Sequence, residues 1–422
     1  MSALLAALVL HAVPACGAAP LDCRPDAPER LQSSGASGAP DPIGRGHWLI
    51  DEENDEVLLL RQTGAVERFA VGRWPESLVV TRTGTAIVSC REAGQLAFIT
   101  RDGAVKRLDV GPEPRALALD ETVHRLYVGL VTAREVVAFD LDTLEPVARA
   151  ELPFEPTALA LSGQTLVVGS RRSAELVLLE AQALTERWRV VVPSRSTAVL
   201  RVEALAAFGA DLLVAARLTE TGIAHAPVAQ DRGGYGGATV PQPFQVALFA
   251  LPGVERGYRV PEPLGSTSLP EVTVSAVAGS RLYLASRGTR TVATATLKGP
   301  GPHLRFGTKT WAPAVVALSV EGTGALAALD THGRRAIVSP ASGQDSYAVA
   351  IPPSRLDPEL REGRELFHAV GDRRLSLRAM GCVSCHPDGR EDGLVWRLVG
   401  TERQTPMLAG GRLEGTAPYN WL

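Results

Sequence analysis

The sequence predicts a mainly β protein, and three observations lead to that prediction. The 422 residues include 41 Gly and 30 Pro but only 5% aromatic residues, as expected for short strands joined by tight turns. Apolar strands recur with a period of about 40 residues between residues 47 and 350. Each unit contains roughly four short strands, which is typical of a propeller blade. We therefore expect a seven-bladed β-propeller, with a count accurate to within one blade, followed by a small α-helical domain.

The first 46 residues are expected to lie outside this sheet. Residues 1–19 contain an apolar run that is too short to span a bilayer and lies where a secretory signal peptide would lie. Cys16 follows a degenerate lipoprotein-signal pattern, so a lipid anchor at Cys16 is the second interpretation of this stretch. Residues 20–46 are rich in Pro, Ser, Gly and Ala and are predicted to form a flexible linker.

Residues 47–353 make up the predicted propeller. A proline followed by an apolar strand marks the successive units, at Pro75, Pro114, Pro156, Pro270 and Pro313. The blades are expected to begin near residues 47, 75, 114, 156, 201, 270 and 313. A pair of β-sandwiches or an irregular β-solenoid is the alternative, but the repeat length matches a blade better.

The fifth unit is interrupted by a long insertion. Residues 218–243 are too long and too rich in glycine to form an ordinary turn inside a compact domain. His225 and Tyr235 lie in this insertion and would be able to reach an active-site mouth. The alternative is a solvated loop without a chemical role.

Residues 354–422 change to a charged, helical pattern. Asp357 is a good N-cap, and Leu360, Leu366, Phe367 and Val370 recur at the spacing of one helix face. The small α-helical domain is expected to begin there.

Cys382, Cys385 and His386 form the motif CxxCH, which is the attachment sequence for a c-type haem. Two thiols on one helical turn can both bond the haem vinyl groups, and the adjacent imidazole then faces the iron. The motif predicts one covalent haem c per chain, with His386 as the proximal ligand. A structural zinc site and a thioredoxin-type CxxC are the alternatives, but the first needs more ligands nearby and the second a preceding buried strand.

The distal iron ligand has two candidates. Met407 lies in a loop that could face His386, and thioether ligation would raise the reduction potential. His368 would give a bis-histidine site, and an open or water-bound iron is the remaining alternative. Arg390 is a candidate partner of a haem propionate, and Trp396 a candidate for packing on the macrocycle.

Two resemblances follow from these residues. The propeller units resemble YVTN-type β-propeller repeats. Residues 361–421, with GRELF, CxxCH, PDGREDGLVW and QTPMLAG, resemble the N-terminal half of the dihaem cytochrome c peroxidase and MauG-like family. The resemblance implies a second haem further along the chain, whereas this sequence contains one CxxCH. We therefore expect a C-terminally truncated dihaem-type protein.

The leading functional hypothesis is an exported c-type cytochrome, periplasmic or associated with the outer membrane or cell surface, without a transmembrane helix. It would exchange electrons with a redox partner protein or a small electron donor or acceptor, with the propeller as docking scaffold. The alternatives are a peroxidase or MauG-like oxidoreductase and a binding scaffold with a vestigial haem segment. A net charge of -3 without long basic runs argues against nucleic acid as a partner.

Overall fold

The computed structural model describes most of the chain after residue 31. The described residues are 32–44, 46–194, 198–208, 211–221, 244–254, 257, 260–267, 269, 272, 274–278, 281–288, 291–297, 304–310, 315–321, 324–340, 345–370, 372, 374–375, 380–398, 401–406 and 408.

Seven four-stranded antiparallel blades follow one another along the chain. A short strand, β1 (Gln32–Ser34), precedes them. Blade 1 contains β2 (Gly38–Asp41), β3 (Gly46–Asp51), β4 (Glu56–Arg61) and β5 (Val66–Ala70). Blade 2 contains β6 (Pro75–Val80), β7 (Ala86–Cys90), β8 (Gln95–Ile99) and β9 (Val105–Asp109). Blade 3 contains β10 (Pro114–Asp120), β11 (Arg125–Leu130), β12 (Glu135–Asp140) and β13 (Pro146–Glu151).

Each of the remaining blades also contains four strands. Blade 4 contains β14 (Ala158–Ser162), β15 (Thr165–Gly169), β16 (Glu175–Glu180) and β17 (Glu186–Val191). Blade 5 contains β18 (Val199–Phe208), β19 (Asp211–Thr219), β20 (Phe244–Leu251) and β21 (Glu262–Thr267). Blade 6 contains β22 (Val274–Ala278), β23 (Arg281–Ala285), β24 (Thr291–Leu297) and β25 (Leu304–Thr310). Blade 7 contains β26 (Val315–Val320), β27 (Leu326–Asp330), β28 (Arg335–Ser339) and β29 (Tyr347–Ala350).

The blades form a closed ring in which the first strand of each blade lies innermost. The first strands of consecutive blades contact one another, and β26 of blade 7 contacts β2 of blade 1. Every blade takes its four main strands from one continuous segment, so side-chain packing and not a shared strand closes the ring. At the closure, Leu49, Leu58 and Leu60 of blade 1 share an apolar cluster with Ala317 and Leu329 of blade 7.

Apolar packing between neighbouring blades explains why these segments are strands. The first two strands of blade 4 are buried along their whole length, since both faces of a blade pack on its neighbours. Fourth strands contain partly buried and exposed residues, as in Val66–Ala70 and Val105–Asp109. The fold therefore confirms the seven-bladed propeller, and blades 2 to 7 begin within a few residues of their predicted positions.

The prediction of a flexible linker over residues 20–46 is wrong for β1 and β2, which form strands. β1 pairs antiparallel with β10 inside the ring, and Gly35 donates a hydrogen bond to the carbonyl of Leu117 at 2.6 Å. A Cβ atom at Gly35 would lie 2.2 Å from Ser77 Oγ, so only glycine fits there. The small residues that resemble a linker in composition instead allow the chain to enter the narrow channel.

The C-terminal part contains little helix. It has helix α1 (Pro358–His368), the single turn α2 (Cys382–Cys385), a 3₁₀ turn (Pro387–Gly389) and a hairpin of β30 (Val395–Leu398) and β31 (Thr401–Gln404). Asp357 caps α1 as predicted, because its Oδ1 accepts a hydrogen bond from the backbone N–H of Glu359 at 2.9 Å.

The predicted α-helical cytochrome domain is not confirmed by the described residues. Leu360 and Leu366 of α1 are 64% and 38% exposed, so the apolar face of the helix is only partly covered, although α1 contacts the single turn α2. Beyond α2, Asp388 and Gly389 adopt positive φ angles, which end any helical continuation. Among the described residues, no helix is long and apolar enough to cross a membrane.

Several predicted features lie outside the described residues. They are the signal segment 1–19 with Cys16, the insertion residues His225 and Tyr235, and Met407.

Candidate functional site

One mouth of the central channel is lined by arginines. The turns between the second and third strands of the blades and the connections between blades meet at this mouth. Six arginines, here called the mouth arginines, lie there: Arg91, Arg115, Arg171, Arg172, Arg201 and Arg217. All six contact the segment that begins with the CxxCH motif. The propeller therefore forms one wall of whatever site that segment builds.

Asp388 anchors the CxxCH segment to the mouth arginines. Its carboxylate accepts two hydrogen bonds from Arg115, at 2.7 and 3.2 Å. Arg91 and Arg171 approach the same carboxylate to 3.7 and 3.8 Å. Burial by itself would raise the pKa of Asp388, but the positive charges of Arg115 and Arg171 lower it well below its usual range. Asp388 is therefore a carboxylate at any physiological pH.

Two further mouth arginines hold the chain just after Asp388. Arg172 donates hydrogen bonds to the backbone carbonyl and to the side chain of Glu391, at 2.7 and 2.9 Å. Arg201, which is 5% exposed, donates to the carbonyl of Asp392. Burial, together with repulsion from Arg217, lowers the pKa of Arg201 to about 10. The segment is thus fixed by its backbone as well as by its carboxylates.

The two cysteines of the motif lie on the single turn α2. Cys382 is exposed and Cys385 is partly buried, and both are free thiols. Residues three apart on a helical turn are neighbours on one face, so the two thiols point to the same side. Burial, with a smaller contribution from the negative charge of Asp392, raises the pKa of Cys385 to about 12. The Cys385 side chain therefore remains a protonated thiol near neutral pH.

His386 ends the same turn and is 6% exposed. Its Nδ1 lies 3.1 Å from the backbone carbonyl of Arg390. Because a carbonyl can only accept, Nδ1 carries the proton and Nε2 keeps its lone pair. This is the arrangement by which proteins orient a histidine whose other nitrogen binds a metal.

A cavity of about 570 Å³ lies between the CxxCH segment, α1 and the propeller mouth. Its polar lining includes Arg115 and Asp388, and its apolar lining includes Val383, Phe367 and Leu360. The volume is in the range of cofactor and small-ligand sites. Seven carboxylates and six arginines share its lining with these apolar side chains, so the cavity has room for a small ligand in a strongly charged setting.

His368, at the end of α1, lines this cavity. Its Nε2 lies 3.3 Å from a guanidinium nitrogen of Arg287, and its buried Nδ1 has no hydrogen-bond partner among the described residues. Burial first, and then the positive charges of Arg287 and Arg364, lower the pKa of His368 to about 2. The imidazole is therefore neutral, and because a guanidinium can only donate, Nε2 accepts from Arg287 and Nδ1 carries the proton. Met407, the other predicted distal ligand, lies outside the described residues.

Arg390 and Trp396 have protein partners in the structure. Arg390 donates a hydrogen bond to Glu113 of the propeller at 2.7 Å, so its guanidinium ties the CxxCH segment to blade 3. Trp396 is 3% exposed, donates from Nε1 to Asp392 at 2.8 Å, and packs edge-on against Phe244 at 5.8 Å. A contact of either side chain with haem stays a prediction.

The long insertion in blade 5 begins and ends at the same mouth. Thr219, near its start, and Phe244, directly after its end, pair with each other at the ends of β19 and β20. The indole of Trp396 packs on Phe244, so the CxxCH segment touches the base of the insertion. Over the described part of the chain, no group of three or more His, Cys, Asp and Glu side chains is arranged to hold a metal ion.

The sequence prediction missed the mouth arginines. A signal exists for two of them, because Arg91 and Arg171 lie one or two residues after the second strand of a blade, in SCRE and GSRR, as does Arg287 in ASRG. Equivalent positions in different blades converge around the axis of a propeller. A recurring arginine at that position therefore predicts a cationic ring at one mouth.

Comparison with known proteins identifies the fold of the chain but not a family. No protein-family model and no curated protein sequence matches the chain.

Three solved structures resemble it at low sequence identity. Hydrazine synthase of Kuenenia stuttgartiensis is 13% identical with a TM-score of 0.53, and the match covers 75% of this chain and 95% of that one. A protein from Lactobacillus plantarum is 14% identical with a TM-score of 0.52, covering 76% and 97%. The WD40 repeats of RRP9 are 12% identical with a TM-score of 0.50, covering 70% and 87%. These similarities establish that the chain is a β-propeller.

Proposed function

We propose that the chain is a c-type cytochrome that binds one haem covalently through Cys382 and Cys385, with His386 as the proximal iron ligand. It transfers electrons to or from a partner, with the propeller as scaffold. The single observation that carries this proposal is the CxxCH turn, whose histidine is already oriented by the carbonyl of Arg390.

The residues of the CxxCH turn suit the covalent attachment of haem. The two thiols are neighbours on one turn, and His386 directs Nε2 away from the carbonyl that holds Nδ1. The cavity of about 570 Å³ next to the turn is lined by Val383 of the turn, by other apolar side chains and by six arginines that could pair with the haem carboxylates, although seven carboxylates line it too and Cys382, Cys385 and His386 do not. When bound, haem supplies a reversible one-electron carrier whose potential depends on its axial ligands and burial.

The surrounding side chains position this turn. Asp388, held by Arg115, prevents the CxxCH segment from lifting off the propeller. The cluster of Phe244, Leu394 and Trp396, against which Cys385 packs, excludes water from one side of the turn. A rigid, partly dry site lowers the reorganisation that accompanies a change of charge. These residues therefore suit electron transfer without themselves exchanging electrons.

His368 is the distal candidate that the described geometry supports. It lines the cavity and is neutral, and its lone pair is on Nε2, which lies 3.3 Å from Arg287. Met407 remains the alternative ligand. A thioether and an imidazole differ in their effect on the potential, since methionine ligation raises it.

Measuring the covalent haem content of the chain tests this proposal. We expect a pyridine haemochrome assay on the chain, expressed with a haem-attachment system, to give one haem per chain. The double variant Cys382→Ala, Cys385→Ala should contain none, whereas Cys90→Ala should load normally because Cys90 is buried in blade 2. A wild-type chain without haem would falsify the proposal.

A peroxidase-like activity is a second candidate, and the free volume of the cavity is the observation that favours it. Peroxide requires an open coordination position, whereas a distal His368 or Met407 would close it. Peroxide-dependent oxidation of an electron donor by the loaded chain separates the two functions. Electron transfer alone predicts no turnover above that of free haem.

The proposal includes export, because haem of this type is attached after export. We expect the loaded protein in the periplasmic or envelope fraction of a Gram-negative host. Haem-loaded protein found only in the cytoplasm would contradict this part of the proposal.

A further inference from the structure

The turn between β3 and β4 of blade 1 is strongly acidic. Residues 51–56 have the sequence DEENDE, and part of this turn lines the cavity at the propeller mouth. Asp51, Asn54 and Glu56 are 0%, 1% and 3% exposed. Buried carboxylates and amides are costly unless they are paired, so this turn requires partners from other elements.

Blade 7 and the segment that follows it supply the first partners, across the seam where the ring closes. Arg334, in the turn after β27, donates to both carboxylate oxygens of Asp51, at 3.1 and 2.7 Å, and to Glu53 at 3.2 Å. The same guanidinium donates to the carbonyl of Pro352, where the chain leaves blade 7, at 2.8 Å. One arginine therefore joins blade 1, blade 7 and the start of the C-terminal segment.

Asn54 binds the same outgoing chain through its side-chain amide. Its Nδ2 donates to the carbonyl of Pro353 at 3.1 Å, and its Oδ1 accepts from the backbone N–H of Arg355 at 2.7 Å. The Arg355 guanidinium donates to the carbonyl of Asn54 at 3.1 Å and to Glu56 Oε1 at 2.7 Å. These hydrogen bonds cross a seam at which the two blades share no strand.

The turn also holds α1. Glu52 accepts hydrogen bonds from Arg364 of α1 and from Arg287 of blade 6. No residue of α1 is fully buried, so apolar packing contributes little to its position. At the end of α1 the carbonyl of His368 lies so close to blade 6 that a Cβ atom at Gly288 would be 2.2 Å from it. The position of α1 therefore depends largely on polar contacts with the propeller.

We propose that the acidic turn 51–56 is a clasp that keeps the ring closed and holds α1 over the cavity. Since Arg334 and Asn54 each bind both sides, the seam between blades 1 and 7 and the C-terminal segment open as one cooperative unit. Leu360 and Phe367 of α1 line the cavity, so opening the clasp would expose the cavity to solvent. All of these contacts lie within the polypeptide, and the inference does not depend on haem.

Hydrogen exchange of the full chain with Cys382→Ala and Cys385→Ala tests the clasp without haem. Arg355→Gln removes two of its hydrogen bonds, and because the Arg355 side chain is 61% exposed, this variant should fold. Amides of β2 and β3, of β26 and β27, and of α1 should all exchange about tenfold faster. Amides of blades 3 and 4 should not change.

Arg68→Gln is the matched control. Arg68 binds the same carboxylate, that of Glu56, at 2.9 Å, but it lies in blade 1 itself. Its substitution should leave the exchange of blade 7 and α1 unchanged. Unchanged rates in Arg355→Gln, or faster exchange confined to blade 1, would overturn the proposal.

Asn54→Ala tests the cooperativity of the opening without removing a charge. It removes the hydrogen bonds to Pro353 and to the N–H of Arg355, so the seam strands and α1 should again exchange about tenfold faster, by similar factors. Faster exchange of α1 with an unchanged seam, or the reverse, would refute the proposal. A chain that takes up no haem but shows the expected exchange would refute the proposed function and leave this inference standing.

Discussion

Asp388→Asn should release the CxxCH segment from the propeller while preserving the shape of the side chain. In the wild type, the Asp388 carboxylate accepts two hydrogen bonds from Arg115, which is 4% exposed, and attracts Arg91 and Arg171. The Asn amide keeps one oxygen but removes the charge. Breaking a buried ion pair from one side costs about 3–5 kcal/mol.

The lower end of that range applies here, because Arg115 retains Glu76 at 2.6 Å. We therefore expect a loss of about 3 kcal/mol, which corresponds to roughly a hundredfold larger opening equilibrium. Hydrogen exchange on peptides covering residues 381–398 measures this opening directly. Amides of that segment should exchange about a hundredfold faster in Asp388→Asn, while those of blades 2 to 4 should not change.

The same interaction predicts a pH dependence. The pKa of Asp388 is lowered in the folded protein, so its stabilising contribution is complete above the ordinary aspartate pKa of about 3.9. The contribution is lost progressively as the pH falls below that value towards the folded pKa. Asp388→Asn removes this part of the acid sensitivity.

Asp372→Asn is the matched control, since Asp372 pairs with an arginine that is 80% exposed. We expect no change in exchange for that variant. Equal exchange rates of residues 381–398 in wild type and Asp388→Asn would refute the role assigned to the mouth arginines.

Three further predictions concern the fold and the site. Gly35→Val should lower the melting temperature, because the valine side chain would clash with Ser77 Oγ inside the channel, and overpacking costs about 1–3 kcal/mol. The control Gly363→Ala should leave the melting temperature unchanged, because open space surrounds Gly363. Tyr127→Phe should leave the free energy of unfolding unchanged or raise it, since the buried Tyr127 hydroxyl has no hydrogen-bond partner among the described residues; a large loss in chemical denaturation would contradict this. Trp396→Ala should cost about 3–5 kcal/mol for a buried aromatic residue, and a loss below about 1 kcal/mol would show that Trp396 does not hold the segment in place.

The propeller was predictable because its signal is periodic. Pro75 and Pro114 begin the first strands of blades 2 and 3, as the sequence spacing predicts. Blade 1 begins earlier than predicted, at Gly38 and not near residue 47, because its first strand is four residues long and carries no apolar run. Composition alone cannot distinguish a Gly-rich and Ser-rich linker from a strand that must fit a narrow channel.

The candidate site was predictable only in part. CxxCH is local in sequence, so a site at Cys382, Cys385 and His386 can be proposed without a structure. The contacts of Asp388 join residues 273 positions apart, and no local pattern reports such a pairing. Helical periodicity around Leu360 correctly predicted the helix α1. It could not predict whether a helical domain forms, because a domain needs a second element that covers the apolar face of the helix, and Leu360 is 64% exposed.

The central claim, covalent haem on the CxxCH turn at the propeller mouth, is tested most directly by the mass of the intact chain under denaturing conditions. Protein expressed with a haem-attachment system should carry the mass of one haem after unfolding. That mass should disappear in the variant with Cys382→Ala and Cys385→Ala and remain in Cys90→Ala. A wild-type chain that has only its polypeptide mass, although folded and exported, would contradict the account.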